Sequence, residues 1–302
     1  MYGMNDKTDI FLEYRSLLFS VAYNMLGSVA NAEDMVQETY LKWMDVDHTV
    51  IKNTKAYLVR IVTNECINFL KSAQAKHVAY VGVWLPEPIV DQAPNAAQQS
   101  TESYHALSIG LLMLMEKLTP RERAIFILRE VFAYDYKELS EIFEKTEDNC
   151  RQIFKRAKEN LGRDMKRFEV DLKVHEKMLQ QFLTAAEGGN AEMLIALLKE
   201  DIVLFAEGGA GIAVNGQRLN APHKPIYGKE AVTKFVLSIV GKVRTHLAGF
   251  RRELVMTNGL PSVINYIDNV PINLISYEWD GEQLKNIYIQ ANPDKLKVFT
   301  RP

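Results

Sequence analysis

The side chains best equipped for chemistry stand close together. They are Arg151, Gln152, Lys155 and Arg156, with Lys158 beside them, in the stretch from Thr146 to Leu161. Arginine and glutamine each carry paired hydrogen-bonding groups that match guanine and adenine edges, and lysine suits a phosphate. At helical spacing these residues share one side, while Ile153, Phe154, Ala157 and Leu161 share the other. Such a helix carries either a nucleic-acid-reading face or, in the plainer alternative, an ordinary solvated basic face.

The elements that would hold this helix favour the first reading. Thr119, Pro120 and Glu122 make a capping box with proline at the first helical position. Ala124, Ile125, Ile127, Leu128 and Val131 then recur at helical spacing. Tyr136 to Phe143 predicts a second short helix that buries Tyr136, Leu139, Ile142 and Phe143. Glu144-Lys145-Thr146 forms the turn, Thr146 is the next cap, and Glu147 and Asp148 occupy the first turn, where negative charge suits the helix dipole. Three short helices with the basic one last are the layout of a helix-turn-helix DNA reader.

The rest of the chain bounds what that reader can belong to. With 302 residues there is room for two or three domains, and 47% hydrophobic and 25% charged residues are ordinary for a folded soluble protein. A net charge of −2 makes the basic helix a local feature and argues against non-specific nucleic-acid binding by the whole chain. Cys66 and Cys150 form neither a disulfide framework nor a zinc spacing, so no metal is expected and a reducing compartment is. No secretory leader and no membrane-length apolar run is visible, which points to the cytoplasm and to no membrane partner.

Two helical stretches, a spacer and a mixed tail follow from the patterns. Phe11, Tyr14, Leu17, Leu18, Val21, Ala22 and Met25 predict a helix that Gly27 ends. Residues 32–44 are amphipathic, with Val36, Tyr40 and Trp43 on one side and Asp34, Gln37, Glu38 and Leu41 on the other. Residues 45–53 read as a polar loop. The helix over 54–70 buries Leu58, Ile61, Val62, Cys66 and Phe69 and exposes Lys55, Arg60, Asn64 and Asn68. Residues 73 to about 103, rich in proline and small polar residues, read as a linker, although Trp84 beside Pro86 and Pro88 needs a surface to dock on. A helix is expected over 104–118. From about residue 171 two helices, 174–187 and 190–199, precede a strand at 201–207, a glycine-rich loop, a helix at 228–240 and β-rich runs at 247–257, 260–268, 270–279 and 283–290, the last two joined by a hairpin turn at Asp280-Gly281.

Residues 8–167 resemble an extracytoplasmic-function sigma factor of bacterial RNA polymerase. Asn31 to Tyr40, with its Ala-Glu-Asp and Val-Gln-Glu steps, is similar to the family's region 2 signature. Thr119 to Arg123 and Glu138 to Ile142 are similar to region 4. The start of the last helix, Asn149 to Gln152, resembles a subgroup with a fused SnoaL-like, nuclear-transport-factor-2-like (NTF2-like) tail. That subgroup carries a Trp-Leu-Pro-Glu-Pro linker motif, here Trp84 to Pro88, and an Asn-Pro-Asp-Lys-Leu motif, here Asn292 to Leu296. Its Asp-Gly-Gly-Gly-Lys run is only partly kept, as Glu207-Gly208-Gly209-Ala210-Gly211.

The resemblance implies a multidomain fold: two all-α modules, a region 2 helical bundle and a region 4 helix-turn-helix, and a C-terminal α+β NTF2-like cone with a curved antiparallel sheet. The boundaries expected are 1–75, a linker at 76–103, 104–168 and 171–302. The implied function is that of an alternative sigma factor directing transcription initiation, with the RNA polymerase core and promoter DNA as partners and no cofactor or catalysis. Asp34, Gln37, Glu38 and Leu41 would meet the polymerase, and Lys55, Arg60, Asn64 and Asn68 the −10 element. Arg151, Gln152, Lys155 and Arg156 would read the −35 element. Trp84, Pro86, Asn292, Pro293, Asp294, Lys295 and Leu296 would make intramolecular regulatory contacts between linker and tail. The competing reading is a DNA-binding regulator whose tail encloses a small-molecule or catalytic pocket. The tail's His175, His223 and His246 and its Asp201, Glu207, Asp268, Asp280 and Asp294 show no acid–base pair at close spacing.

Overall fold

The computed structural model describes residues 4–76, 83–91, 106–162, 171–207, 212–214, 217–219, 222–246 and 249–300. The expected helix start at Tyr104, the glycine run Gly208–Gly211 and the linker stretches 77–82 and 92–105 lie outside the described residues. The chain divides into two compact units.

The first unit is all helical. Helices α1 (Met4–Leu26), α2 (Val29–Asp45) and α3 (Thr54–Lys76) form a bundle around Leu18, Val21, Met25, Val36, Trp43, Leu58 and Val62, all nearly or fully buried. Gly27, at φ +67°, ends α1 in the left-handed conformation that a side chain would strain, and Ser28 caps α2 by accepting from the Asn31 amide. A short 3₁₀ turn, His48–Val50, interrupts the loop before α3. Helix α4 (Ile109–Leu114) passes into a 3₁₀ turn at Met115–Lys117 and is shorter than the apolar run predicted, which also supplies that turn. Next come α5 (Pro120–Glu130), α6 (Tyr136–Phe143) and α7 (Glu147–Leu161). Both α5 and α6 begin with full capping boxes, Thr119 with Glu122 and Asp135 with Glu138. The turn between α6 and α7 runs through Glu144 at φ +52°. The two helical modules share a core: α5 packs on α1 and α3, and α6 on α3. Arg123 pins them together, donating from Nε to the Met115 carbonyl at 3.1 Å and from Nη1 to the Met25 carbonyl at 2.9 Å.

The second unit is α+β. It contains α8 (Leu172–Gly188), α9 (Ala191–Leu197), β1 (Leu198–Ala206), β2 (Ile212–Val214), β3 (Gln217–Leu219), β4 (Ile226–Tyr227) and α10 (Lys229–His246). These are followed by β5 (Phe250–Thr257), β6 (Leu260–Ile267), β7 (Val270–Asp280), β8 (Gln283–Gln290) and α11 (Pro293–Leu296). Six strands make an open sheet in the order β4-β1-β8-β7-β6-β5, and β2 pairs β3 separately. The sheet is mixed rather than antiparallel throughout, because β1 runs parallel to β8. Hairpins tie β5 to β8 into an antiparallel meander, whereas β1 reaches its neighbour only after the intervening helix and meander, so no local turn fixes its direction. Bulges at Asn265/Tyr266 and Glu278/Trp279 bend the sheet.

Alternation along β6 serves two cores. Val263 joins Met178, Phe182, Leu194 and Val232 beneath the helices, while Ile264 joins Leu274, Leu296 and Phe299 on the other face, with Val90 packed against them. On the helix side His175 of α8 is fully buried, its ring edge-on to Trp279 at 6.2 Å. Burial drags its pKa down to about 4, against a smaller upward pull from the Pro261 carbonyl.

The unfolded imidazole takes its proton near pH 6.5 and the folded one only near 4, so between those values the unfolded chain binds more protons. Stability is therefore lost as the pH falls through this window. Chemical denaturation at pH 7 and pH 5 should show the tail of the native chain losing about 2 kcal/mol more than that of a His175→Leu variant. Parallel pH curves for the two proteins would show that His175 is not the group responsible.

Candidate nucleic-acid and partner interfaces

The α7 face is built as its pattern predicts. Ile153, Ala157 and Leu161 are buried, and Arg151, Gln152, Lys155, Arg156 and Lys158 are exposed. Thr146 caps the helix by accepting from the Asn149 amide at 3.2 Å. The basic groups are not loose. Arg151 donates to Asp148 at 2.9 Å and Glu147 at 3.2 Å, Lys155 lies 3.8 Å from Glu159, and Lys158 is 3.3 Å from Glu130 of α5.

Along α3 the four predicted residues divide. Lys55, Asn64 and Asn68 are exposed, with Asn64 and Asn68 one turn apart, whereas Arg60 is partly buried. Arg60 donates to Glu144 in the α6–α7 turn at 2.6 Å and lies over the Tyr57 ring at 5.5 Å. The Lys55 ammonium sits 5.2 Å from the ring centre of Tyr134. Sequence patterns gave no sign of Glu144 and Tyr134 as partners of this helix, since nothing in a linear pattern pairs positions so far apart.

On α2 the predicted stripe is real: Asp34, Gln37, Glu38 and Leu41 are all exposed, Leu41 at 60%.

The linker and tail candidates come together within the second unit. Segment 83–91 lies against the sheet face opposite the helices. Val90 bridges Thr257, the Ile89 amide donates to Asn258 at 3.0 Å, and the Gly259 amide donates to Asp91 at 2.8 Å. Leu85 is fully buried, and Gln290 donates to the Pro86 carbonyl. Lys295 lies at the centre of this arrangement. Its buried ammonium donates to Glu207 at 2.5 Å and to the Leu85 carbonyl, and it stands 4.6 Å from the Trp84 ring centre. Burial pulls its pKa below the usual lysine value, and Glu207 pulls it back up. Asn292 caps α11 by accepting from the Asp294 amide, Pro293 takes the first helical position, and Leu296 is buried in the second core. Asp294 is exposed and pairs with Lys297, outside this cluster.

Of the tail's other candidate acids, Asp201 pairs with Lys285 and Asp280 with Lys199, while Asp268 sits in the turn after β6, where its amide donates to the Gly249 carbonyl at 3.2 Å. Beside His175, a mostly apolar cavity lined by Leu260, Tyr277 and Trp279, with Ser262, Ser276 and Glu278 among its polar residues, has a volume of about 20 Å³. That is room for one water-sized molecule. No described helix is long and apolar enough to cross a membrane.

Comparison with known proteins matches the same segments. Residues 10–76 fit the family described as Sigma-70 region 2, and residues 109–161 fit Sigma-70, region 4. The ECF RNA polymerase sigma factor SigJ of Mycobacterium tuberculosis is 30% identical over 300 residues, covering 95% of this chain and 92% of the relative. The probable ECF RNA polymerase sigma factor SigI of the same organism is 23% identical over 285 residues, covering 94% of this chain and 92% of the relative. The crystal structure of the Mycobacterium tuberculosis extracytoplasmic function sigma factor SigJ superposes with a TM-score of 0.70 at 25% identity, over 96% of this chain and 97% of that one.

The Lys295 cluster has a measurable strength. Lys295→Met removes the cation from a fully buried Glu207 and should destabilise the second unit by about 3–5 kcal/mol, while the Lys295→Met/Glu207→Leu pair should recover part of that loss. Limited proteolysis should show cutting around Trp84–Pro88 in the single variant and protection in the native chain. Equal protease resistance in both would mean that the ion pair does not hold the segment.

Proposed function

The chain belongs to the extracytoplasmic-function (ECF) RNA polymerase sigma factors, and from that premise we propose which of its surfaces performs each part of promoter recognition and how the tail takes part. It is an alternative sigma factor that binds RNA polymerase and promoter DNA to direct initiation, and it works in the cytoplasm with the polymerase.

The exposed stripe of α2, Asp34, Gln37, Glu38 and Leu41, docks on the polymerase core. Helix α3 handles the −10 element with Lys55, Arg60, Asn64 and Asn68, residue types that suit unstacked bases and backbone phosphate. Helix α7 enters the major groove at the −35 element, with Arg151 and Gln152 on base edges and Lys155 and Arg156 on or near phosphates. The observation that supports this division is the exposure of all four α7 residues on a capped helix whose opposite face buries Ile153, Ala157 and Leu161, with Phe154 half-buried.

The tail acts on the linker. Trp84, Pro86 and Lys295, together with the α11 turn that Asn292 and Pro293 begin and Leu296 anchors, hold segment 83–91 as part of the tail's fold, so the stretch of chain free to span between the two promoter-reading modules is shortened. The support for this reading is the Lys295–Leu85–Glu207 cluster.

Two measurements test the assignments. With reconstituted holoenzyme, Arg151→Ala or Gln152→Ala should relax base preference at one upstream position by roughly 1–3 kcal/mol, while Lys155→Ala should weaken binding evenly and lower the salt slope by about one. Unaltered selectivity and salt dependence in all three would overturn the α7 assignment. Separately, Leu41→Asp with Glu38→Lys should abolish co-purification with core polymerase at unchanged thermal stability. Retained co-purification would remove α2 as the docking surface.

A further inference from the structure

Arg151 is the only basic residue among those proposed to read the upstream element whose guanidinium is held on several sides within the described residues. Two of its N–H groups are taken by Asp148 and Glu147 on its own helix, at 2.9 and 3.2 Å. Its flat face lies 4.8 Å from the ring centre of Tyr136, the first residue of α6. The contact therefore crosses the turn of the helix-turn-helix. Tyr136 is itself fixed. Its ring meets Phe154 edge-on at 6.3 Å, the Arg129 guanidinium also lies 4.8 Å from its centre, and Arg129 donates to the Tyr134 carbonyl at 2.7 Å. The Asp135–Glu138 capping box sets the backbone on which this ring stands.

The other two cations proposed to read the upstream element lack this support. Lys155 lies at 3.8 Å from Glu159, and the Arg156 Nε reaches the Gln152 carbonyl at 3.4 Å. A free arginine samples many rotamers, and one held by a ring face and two carboxylates has lost most of them before DNA arrives. Of the five guanidinium N–H groups, two are occupied and three remain for a base edge. The two carboxylates also repel phosphate, so Arg151 is suited to a base and poorly suited to a backbone contact.

Resting on the assignment of α7 to the −35 element, we propose that Tyr136 is a positioning residue for promoter specificity. Its ring, with Glu147 and Asp148, sets the Arg151 guanidinium in the plane that matches a guanine edge. Tyr136 touches no DNA in this arrangement and acts through Arg151.

The experiment uses full-length protein in RNA polymerase holoenzyme, with a double-stranded promoter library randomised across the upstream element. Base preference at each position is read for the native chain, Arg151→Ala, Tyr136→Phe, Tyr136→Leu and Glu147→Gln/Asp148→Asn. At the position where Arg151→Ala erases preference, Tyr136→Leu should lower discrimination roughly fivefold or more, and Tyr136→Phe should keep it. Preference elsewhere and affinity for scrambled DNA should stay unchanged in both. In the Arg151→Ala background Tyr136→Leu should add nothing. If Tyr136→Leu also lowers the thermal midpoint, the double carboxamide variant, altered only at the surface, carries the test and should lose discrimination at that same position. Full discrimination in Tyr136→Leu and in the carboxamide variant, or equal loss in Tyr136→Phe and Tyr136→Leu, overturns the positioning role. Unaltered preference in Arg151→Ala overturns the α7 assignment itself, an outcome distinct from failure of Tyr136 alone.

Discussion

A charged ammonium cannot be left unpaired inside a protein, and that constraint organises the tail. Lys295 brings its charge into a site where its side chain is 5% exposed, so the surroundings must supply a counter-charge, an acceptor and, here, an aromatic face. Glu207 at the end of β1 gives the first, the Leu85 carbonyl the second and Trp84 the third. Three chain segments far apart in sequence are thereby required to meet. The proline-rich stretch between the helical modules is consequently a wall of the tail's second core, with Leu85 buried and Val90 packed on the sheet.

Electrostatics in the helical unit follows a different rule, since most of its charges remain wet. The Arg60–Glu144 pair is short, but its side chains are 34% and 74% exposed, and exposed pairs contribute at most about 1 kcal/mol. It therefore orders α3 against the α6–α7 turn while offering a phosphate little resistance in competition for Arg60. A net charge of −2 is compatible with this because the basic groups are concentrated by helix face and not by overall composition. Strength comes instead from apolar burial and from Arg123, whose guanidinium satisfies carbonyls at the ends of α1 and the 3₁₀ turn before α5.

Local signals made the helical modules readable. Thr119 with Glu122, Thr146, Gly27 and the apolar spacing of α5 to α7 each act within a few residues, and each stands where its chemistry demanded. The exposed stripes on α2 and α7 were legible for the same reason. What escaped was non-local. The strand beginning at Leu198 takes residues that helical spacing assigned to the preceding helix, because pairing with β8 outweighs local preference. The parallel direction of β1 depends on that same distant pairing. Motif resemblance brought Trp84 and Lys295 onto one list of regulatory contacts, but the meeting of Arg60 with Glu144, and the role of Glu207 as the counter-ion, require a folded chain. Asp294, grouped with its neighbours by motif, turns outward to Lys297 because a four-residue helix can bury only one side.

The capture of segment 83–91 also sets an order of events during synthesis. Its partners lie more than 160 residues further along: Asn258 and Gly259 come first, then Gln290 and Lys295 close to the C-terminus. Chains emerge N-terminal end first, and contacts of such long sequence separation form late. The helical unit can therefore assemble on the ribosome while the segment is still unclaimed, because the Lys295 that closes the cluster is made 210 residues after Leu85. A newly made molecule thus passes through an interval in which its helical unit exists and its linker is untethered, and that interval closes stepwise, at Asn258 and Gly259 before Lys295.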